Sequence, residues 1–364
     1  MMEGEGANGE EGTGKREKVE NRIAAIAETA RAWRDPEHPP REQAVQKTLD
    51  APNRFTEEAL AFAVNQAMHG CTEDRLAAWR QSAPEPLTTG VLCADEEAPL
   101  GGGFRALLAV LLAGHRCVIA APDDSPHLLP AFAADFKERA PELHVHFTDE
   151  NTVFEQAGAL VGPERGGDTA ARCEEHDLPA SRRWLHAREG SVAVLDGSES
   201  EDEREGLAED AWLYDGHGAA SVRVVWAPQD LSPDPYLEAM AQFRGVFPAH
   251  DDTPGALAMQ RAMLEARDQA HAYADGLVFL MSKGEPEAQL PGHLRWAEYD
   301  GPAQVERWIR ERGDTIYQVS AREQLADRLE LGRPVWPLGA AHRVPVGDGP
   351  PGEDLMRFLA ALGA

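Results

Sequence analysis

The side chains able to act on a substrate are few and widely spaced in this 364-residue chain. Cys173 and His176 stand three apart in Ala170-Ala-Arg-Cys-Glu-Glu-His176. On a helix they would share a face, the arrangement in which an imidazole can take a proton from a thiol; the plainer reading is a structural cysteine. His217 lies between two glycines in Tyr214-Asp-Gly-His-Gly218, where an imidazole could polarise a substrate carbonyl; the plainer reading is a loop histidine without a catalytic role. Ser221, where this loop passes into a strand, has no identifiable base beside it and reads as a hydroxyl that ties down the turn. His144-x-His146 would put two imidazoles on one side of a strand, but a metal needs further ligands that the sequence does not identify, so no metal site is expected.

Glycines and carboxylates supply weaker signals. Gly101-Gly-Gly103 precedes an apolar helical run and either presents amide donors to an anion or allows a tight turn into the helix. Gly4-x-Gly6-x-x-Gly9 has the spacing of a dinucleotide fingerprint, yet no strand precedes it and no βαβ unit follows. Glu199, Glu201, Asp202, Glu203 and Glu205 read as a solvated helix start, where carboxylates favour the helix dipole. No Walker motif, nucleophile elbow or RNA-binding signature occurs.

The elements that must position these residues alternate. Residues 1–17 are polar, Glu- and Gly-rich and are expected to form a disordered acidic tail. Apolar residues at helical spacing over 19–33, and a block over about 55–81, define an N-terminal helical segment, 18–85. Gly90–Ala94, Phe104–Ala113 and Arg116–Ala121 then read as strand, buried helix and strand, a βαβ unit that implies a parallel sheet covered on both faces. A helix near 126–140, strands at 143–147 and 191–195 and an acidic helix at 199–213 complete a doubly wound α/β domain over 86–215. After the 214–220 loop the alternation restarts, with strands at 221–226, 277–281, 294–299 and 315–320, giving a second α/β domain over 216–339. Residues 352–362 read as a closing amphipathic helix.

Composition bounds the function classes. Sixty-three Asp and Glu against 35 Lys and Arg give a formal charge of −28, a field that repels nucleic acid and anionic membranes. Only five of the cations are lysines and the acidic excess runs along the whole chain, a pattern expected of a high-salt cytoplasm. Cys71, Cys93, Cys117 and Cys173 show no metal or disulfide spacing, which suits a reducing compartment. No apolar run is long enough for a membrane span.

Several segments, in order, resemble the acyl-CoA reductase family of the bacterial luciferase system, within the aldehyde dehydrogenase superfamily. They are Asn53-Arg-Phe-Thr-Glu-Glu-Ala-Leu60, Leu107–Val118, Glu189-Gly-Ser-Val-Ala-Val-Leu195, Glu209–Pro228 and, more weakly, Asp354-Leu-Met-Arg-Phe-Leu359. The resemblance spans roughly 20–360. It implies an aldehyde dehydrogenase-like fold: a cofactor-binding-type domain over 86–215, completed by 340–364, and a catalytic-type domain over 216–339. It further implies NADPH-dependent reduction of a fatty acyl thioester to an aldehyde through a cysteine thioester, in a cytoplasmic protein; an active homologue or acyl-transfer partner and a homo-oligomer are compatible with it, and the oligomeric state stays open in the sequence. Gly162, Asp168 and Thr169 fall where relatives turn a glycine loop toward the cofactor, and His217 falls beside the nucleophile position. That position is Ala219 here. The chain also has Ala94-Asp-Glu-Glu-Ala-Pro99 where relatives carry an asparagine, and Ala120-Ala-Pro122 where a lysine meets the ribose. Loss of the thiol removes the covalent route, so the alternative is a non-catalytic relative that binds an acyl thioester, a nucleotide or an active homologue.

Overall fold

The computed structural model describes residues 7–82, 85–93, 99–121, 127–186, 190–343, 345–348 and 352–362. Four helices come first: α1 (Ala7–Ala32), α2 (Pro39–Asp50), α3 (Glu57–Gly70) and α4 (Glu73–Trp79). A five-stranded parallel sheet follows, built from β1 (Thr88–Leu92), α5 (Gly101–Leu112), β2 (Arg116–Ala120), α6 (Leu128–Arg139), β3 (Val145–Phe147), α7 (Glu150–Gln156), β4 (Ala159–Pro163), α8 (Asp168–Glu175) and β5 (Arg183–His186). Its strand order is β3-β2-β1-β4-β5, so the order reverses between β1 and β4. The second sheet comprises β6 (Gly190–Val194), α9 (Glu201–Trp212), β7 (Val222–Pro228), α10 (Asp234–Val246), α11 (Thr253–Ala266), β8 (His271–Tyr273), β9 (Leu280–Lys283), β10 (His293–Tyr299), α12 (Pro302–Arg312), β11 (Ile316–Ala321), α13 (Glu323–Ala326) and β12 (Val335–Trp336). Its order is β12-β11-β6-β7-β10-β9-β8, parallel apart from the β8–β9 pair. α14 (Gly352–Ala361) closes the chain.

The expected α/β class with two layered parallel sheets is what the chain forms. Both sheets carry apolar residues on both faces because helices cover both. On one side of the first sheet, α5 and α6 pack with the N-terminal helices into a core that includes Trp33, Phe104, Phe132 and Phe136. The two faces of the second sheet bury Trp212 and Trp296 on one side and Val224, Trp226 and Ile309 on the other. α14 packs on α5, and the buried His115 ring meets the carbonyl of Leu359 at 3.0 Å.

Three expectations need correction. β6, read from sequence as part of the first α/β domain, pairs with β7 and β11 in the second sheet, because its hydrogen-bonding partners lie later in the chain. Residues 7–17, read as part of a disordered tail, belong to α1, which runs on from the amphipathic stretch at 19–33; residues 1–6 lie outside the described ones. The block at 55–81 is two helices, because the Thr72 hydroxyl accepts from the Arg75 amide and starts α4 afresh.

Candidate functional site

The loop from α9 to β7 carries position 219 between the two sheets. Its turn is tight: Asp215, Gly216 and Gly218 all adopt left-handed φ, at 52°, 76° and 80°. A non-glycine residue holds φ > 0 only under constraint, and Asp215 is constrained by a buried ion pair, Oδ1 to Arg244 Nη2 at 2.6 Å. Its Oδ2 accepts from the His250 amide at 2.8 Å and the Thr253 hydroxyl at 2.5 Å. Burial lowers the Arg244 pKa, and the Asp215 charge acts against that. Downstream, the Ser191 hydroxyl donates to the Ala219 carbonyl at 3.0 Å and Arg223 Nε to the Gly216 carbonyl at 3.1 Å. The Ser221 hydroxyl donates back to the His217 carbonyl, so Ser221 ties the turn as its position suggested.

Ala219 opens onto a cleft of about 180 Å³ between the sheets, lined by α3, α5, β4, β5, the 214–220 loop and the 341–346 segment. Ala63, Leu92, Phe104, Val161, Trp184 and Leu355 make much of it apolar. Polar groups arrive from Arg105, His186, Tyr317, His342 and Arg343. Arg105 donates to the carbonyls of Pro345 and Asp348 at 2.8 and 2.5 Å. The guanidinium of Arg343 forks onto Glu209 with both contacts at 2.6 Å. His342 packs edge-on to Tyr214, and burial holds its pKa down at about 4, so a neutral imidazole faces the cleft near neutral pH. Asp210 lies beneath this segment, accepting from the amides of Gly339 and Ala341 at 2.8 and 2.9 Å, and burial raises its pKa to about 7.

No thiol reaches the cleft. All four cysteines are buried, and none lines it. Burial pushes Cys71 up to about 12, Cys117 well above its ordinary value and Cys173 up as well. Cys173 sits in the core while His176 is exposed and stacks on Phe154 with ring centres 5.7 Å apart, so the sequence pairing gives no thiolate and base. His217 is placed along a different pocket, with Arg54, His250 and Gln260. His144 and His146 are exposed, and among the described residues no group of three or more His, Cys, Asp or Glu is arranged to hold a metal. Glu199 is consumed by the amides of Asp196 and Gly197 and the Tyr236 hydroxyl, and Glu203 closes a capping box with Ser200.

A parallel sheet binds a dinucleotide beyond the carboxyl ends of the strands where the order reverses, with the pyrophosphate on a following helix's amides. In the first sheet that place lies between β1 and β4. Gly162 lines the cleft there, and a Cβ on it would meet Leu92 Cβ at 2.8 Å. Glu164 occupies two of the amides around the start of α8. Glu164 accepts from Gly167 N at 2.9 Å and Ala170 N at 3.2 Å. Thr169 donates its hydroxyl to the Pro163 carbonyl at 2.9 Å, and Asp168 begins the helix without lining the cleft. Arg165 crosses from this loop to the Cys93 carbonyl at 3.3 Å. A carboxylate on those donors opposes a pyrophosphate, so these residues do not fit the phosphates of NADPH. Asp95, Glu96, Glu97 and Pro122 lie outside the described residues.

The fold has many solved counterparts. An oxidoreductase from Marinobacter aquaeolei superposes with a TM-score of 0.68 at 12% identity, covering 94% of this chain and 84% of that one. The 1-pyrroline-5-carboxylate dehydrogenase from Thermus with bound NAD gives 0.68 at 12% identity, covering 94% and 80%. Succinic semialdehyde dehydrogenase from Streptococcus pyogenes in complex with NADP+ gives 0.65 at 11% identity, covering 88% and 82%. The fold is therefore that of the aldehyde dehydrogenase-like oxidoreductases. No protein-family model and no curated protein matches the sequence.

The residues that sequence reasoning missed in the cleft include Arg105, Trp184, His186, Tyr317, His342 and Arg343. They come from four separate stretches of chain and carry no shared motif.

Proposed function

We propose that this chain uses an aldehyde dehydrogenase-like fold to bind an apolar acyl or aldehyde group in the cleft beside Ala219, without the covalent chemistry of a reductase. The observation that carries this is the pairing of an intact, mostly apolar cleft at position 219 with four cysteines all buried elsewhere. Thioester chemistry needs a thiolate that attacks the acyl carbon and leaves again, and methyl replaces thiol where that sulfur would stand. The resemblance to acyl-CoA reductases supports a fatty acyl thioester as the ligand, delivered by an acyl-transfer partner or an active homologue.

A second reading is NADPH-dependent reduction of the acyl thioester. The compared structures that hold NAD and NADP+ favour a nicotinamide dinucleotide as the cofactor class for this fold, while Ala219 and Glu164 weigh against its use here. The test is to titrate the protein with palmitoyl-CoA in molar KCl and to follow NADPH oxidation in the same solutions. Saturable binding without oxidation supports the binding role. Steady NADPH consumption supports the reductase and requires a nucleophile other than cysteine.

A further inference from the structure

We infer that Glu164 is an internal anion that closes the β1–β4 crevice to phosphate-bearing dinucleotides. This rests on the proposed reading only in taking that crevice as the place where the fold would accept such a ligand. The first sheet reverses its strand order between β1 and β4, so the amides opening α8 are the donors that a pyrophosphate would seek. Gly167 approaches them in the left-handed region, with φ at 99°, and turns its own N–H toward the same point as that of Ala170. The Glu164 carboxylate sits on both. A helix N-terminus stabilises one negative charge by its dipole and its free donors, and Glu164 supplies that charge from within the chain.

The neighbouring contacts hold the loop in this arrangement. Arg165 reaches the Cys93 carbonyl at the end of β1 and the Glu150 carboxylate at 3.4 Å. Arg172 also pairs with Glu150, at 3.2 Å, and lies over the Phe154 ring. Both guanidinium groups are thus engaged with Glu150, and Arg183, which reaches the Ala170 carbonyl at 3.3 Å, pairs with Glu174 at 3.4 Å. A dinucleotide entering here would have to displace Glu164 and leave that carboxylate close to its own phosphates. Glu164 therefore acts on specificity through the helix amides and touches no reacting atom.

The experiment is a fluorescence titration with NADPH on the full chain in molar KCl, comparing wild type, Glu164→Ala and Glu164→Gln, with circular dichroism to verify that each is folded. The expected dissociation constant of the wild type is above about 1 mM, tightening by about tenfold or more in Glu164→Ala. Glu164→Gln keeps an acceptor for the amides but loses the charge, and should fall between the two. A wild type that binds below about 100 µM, or a folded Glu164→Ala no tighter than wild type, would overturn the inference. Acyl binding beside Ala219 is read out separately with palmitoyl-CoA, so failure here and failure of the proposed binding role give different results.

Discussion

Asp215, in the loop that presents Ala219, forms an ion pair of 2.6 Å with Arg244 of α10, with both side chains almost fully buried. Arg244 also donates to the Trp212 carbonyl at 3.1 Å, so one guanidinium ties the end of α9 to the turn that follows it. A pair this dry is held because each charge would be left uncompensated without the other. Replacing either partner, as in Asp215→Ala or Arg244→Ala, should cost about 3–5 kcal/mol of stability. Guanidinium unfolding curves would measure it. The double replacement should cost less than the sum of the singles, since it leaves no lone charge.

Buried histidines set one limb of the pH dependence. His293 and His342 are held near 4, against an ordinary 6.5, and His115 is lowered as well, in each case chiefly by burial. A depressed folded-state pKa means that the unfolded chain binds more protons between about pH 4 and 6.5, so stability is present above that window and lost as pH falls through it. Urea midpoints measured from pH 7 down to 4.5 should show this loss. His342→Gln should flatten it, even if the variant is less stable throughout.

Asp210 works in the opposite direction. Its folded-state pKa of about 7 lies above the ordinary 3.8, because desolvation outweighs the two amides that the carboxyl accepts from. The folded state then holds a proton that the unfolded state has released, and stability falls as pH rises from about 4 through 7. Asp210→Asn should remove this opposing slope, so that the variant's stability climbs more steeply with pH than that of the wild type. The amide offers one acceptor oxygen to Gly339 N and Ala341 N in place of two, so its overall stability should also drop by about 1–3 kcal/mol.

A formal charge of −28 predicts a strong response to salt. Screening shortens from about 30 Å at 0.01 M ionic strength to about 3 Å at 1 M. The melting temperature should therefore rise markedly on going from dilute buffer to molar KCl, and a flat melting temperature would show that the acidic surface is not an adaptation to salt.

Legibility in the sequence followed burial and length. The β1–α5–β2 unit was readable because its apolar runs end at turns and differ in length, five residues for each strand against twelve for the helix. β4 and β5 were not, since Ala159–Pro163 holds Gly and Pro, and Arg183–His186 is a four-residue edge strand of half-buried side chains without alternation. β6 was legible as a strand but not as a member of its sheet, because β11, one of its two partners, lies more than a hundred residues later. At the site, Ala219 was singled out only by the resemblance to the acyl-CoA reductases, which place a cysteine after such a Gly-x-Gly turn, and Ser221 by its start-of-strand position. Glu164 could not, because a helix N-terminus satisfied by a side chain three residues earlier leaves no pattern that distinguishes it from any acidic loop residue.

If the cleft beside position 219 binds an acyl group, a thiol placed at that position should hold the group covalently. The direct measurement is the intact mass of the Ala219→Cys variant after incubation with palmitoyl-CoA in molar KCl, with wild type as control. The introduced thiolate would attack the thioester carbonyl and expel CoA as its thiol. The account predicts a gain of one palmitoyl group in the variant and none in the wild type, whose four cysteines are buried. A folded variant that stays unmodified, or a wild type that is acylated, would contradict it.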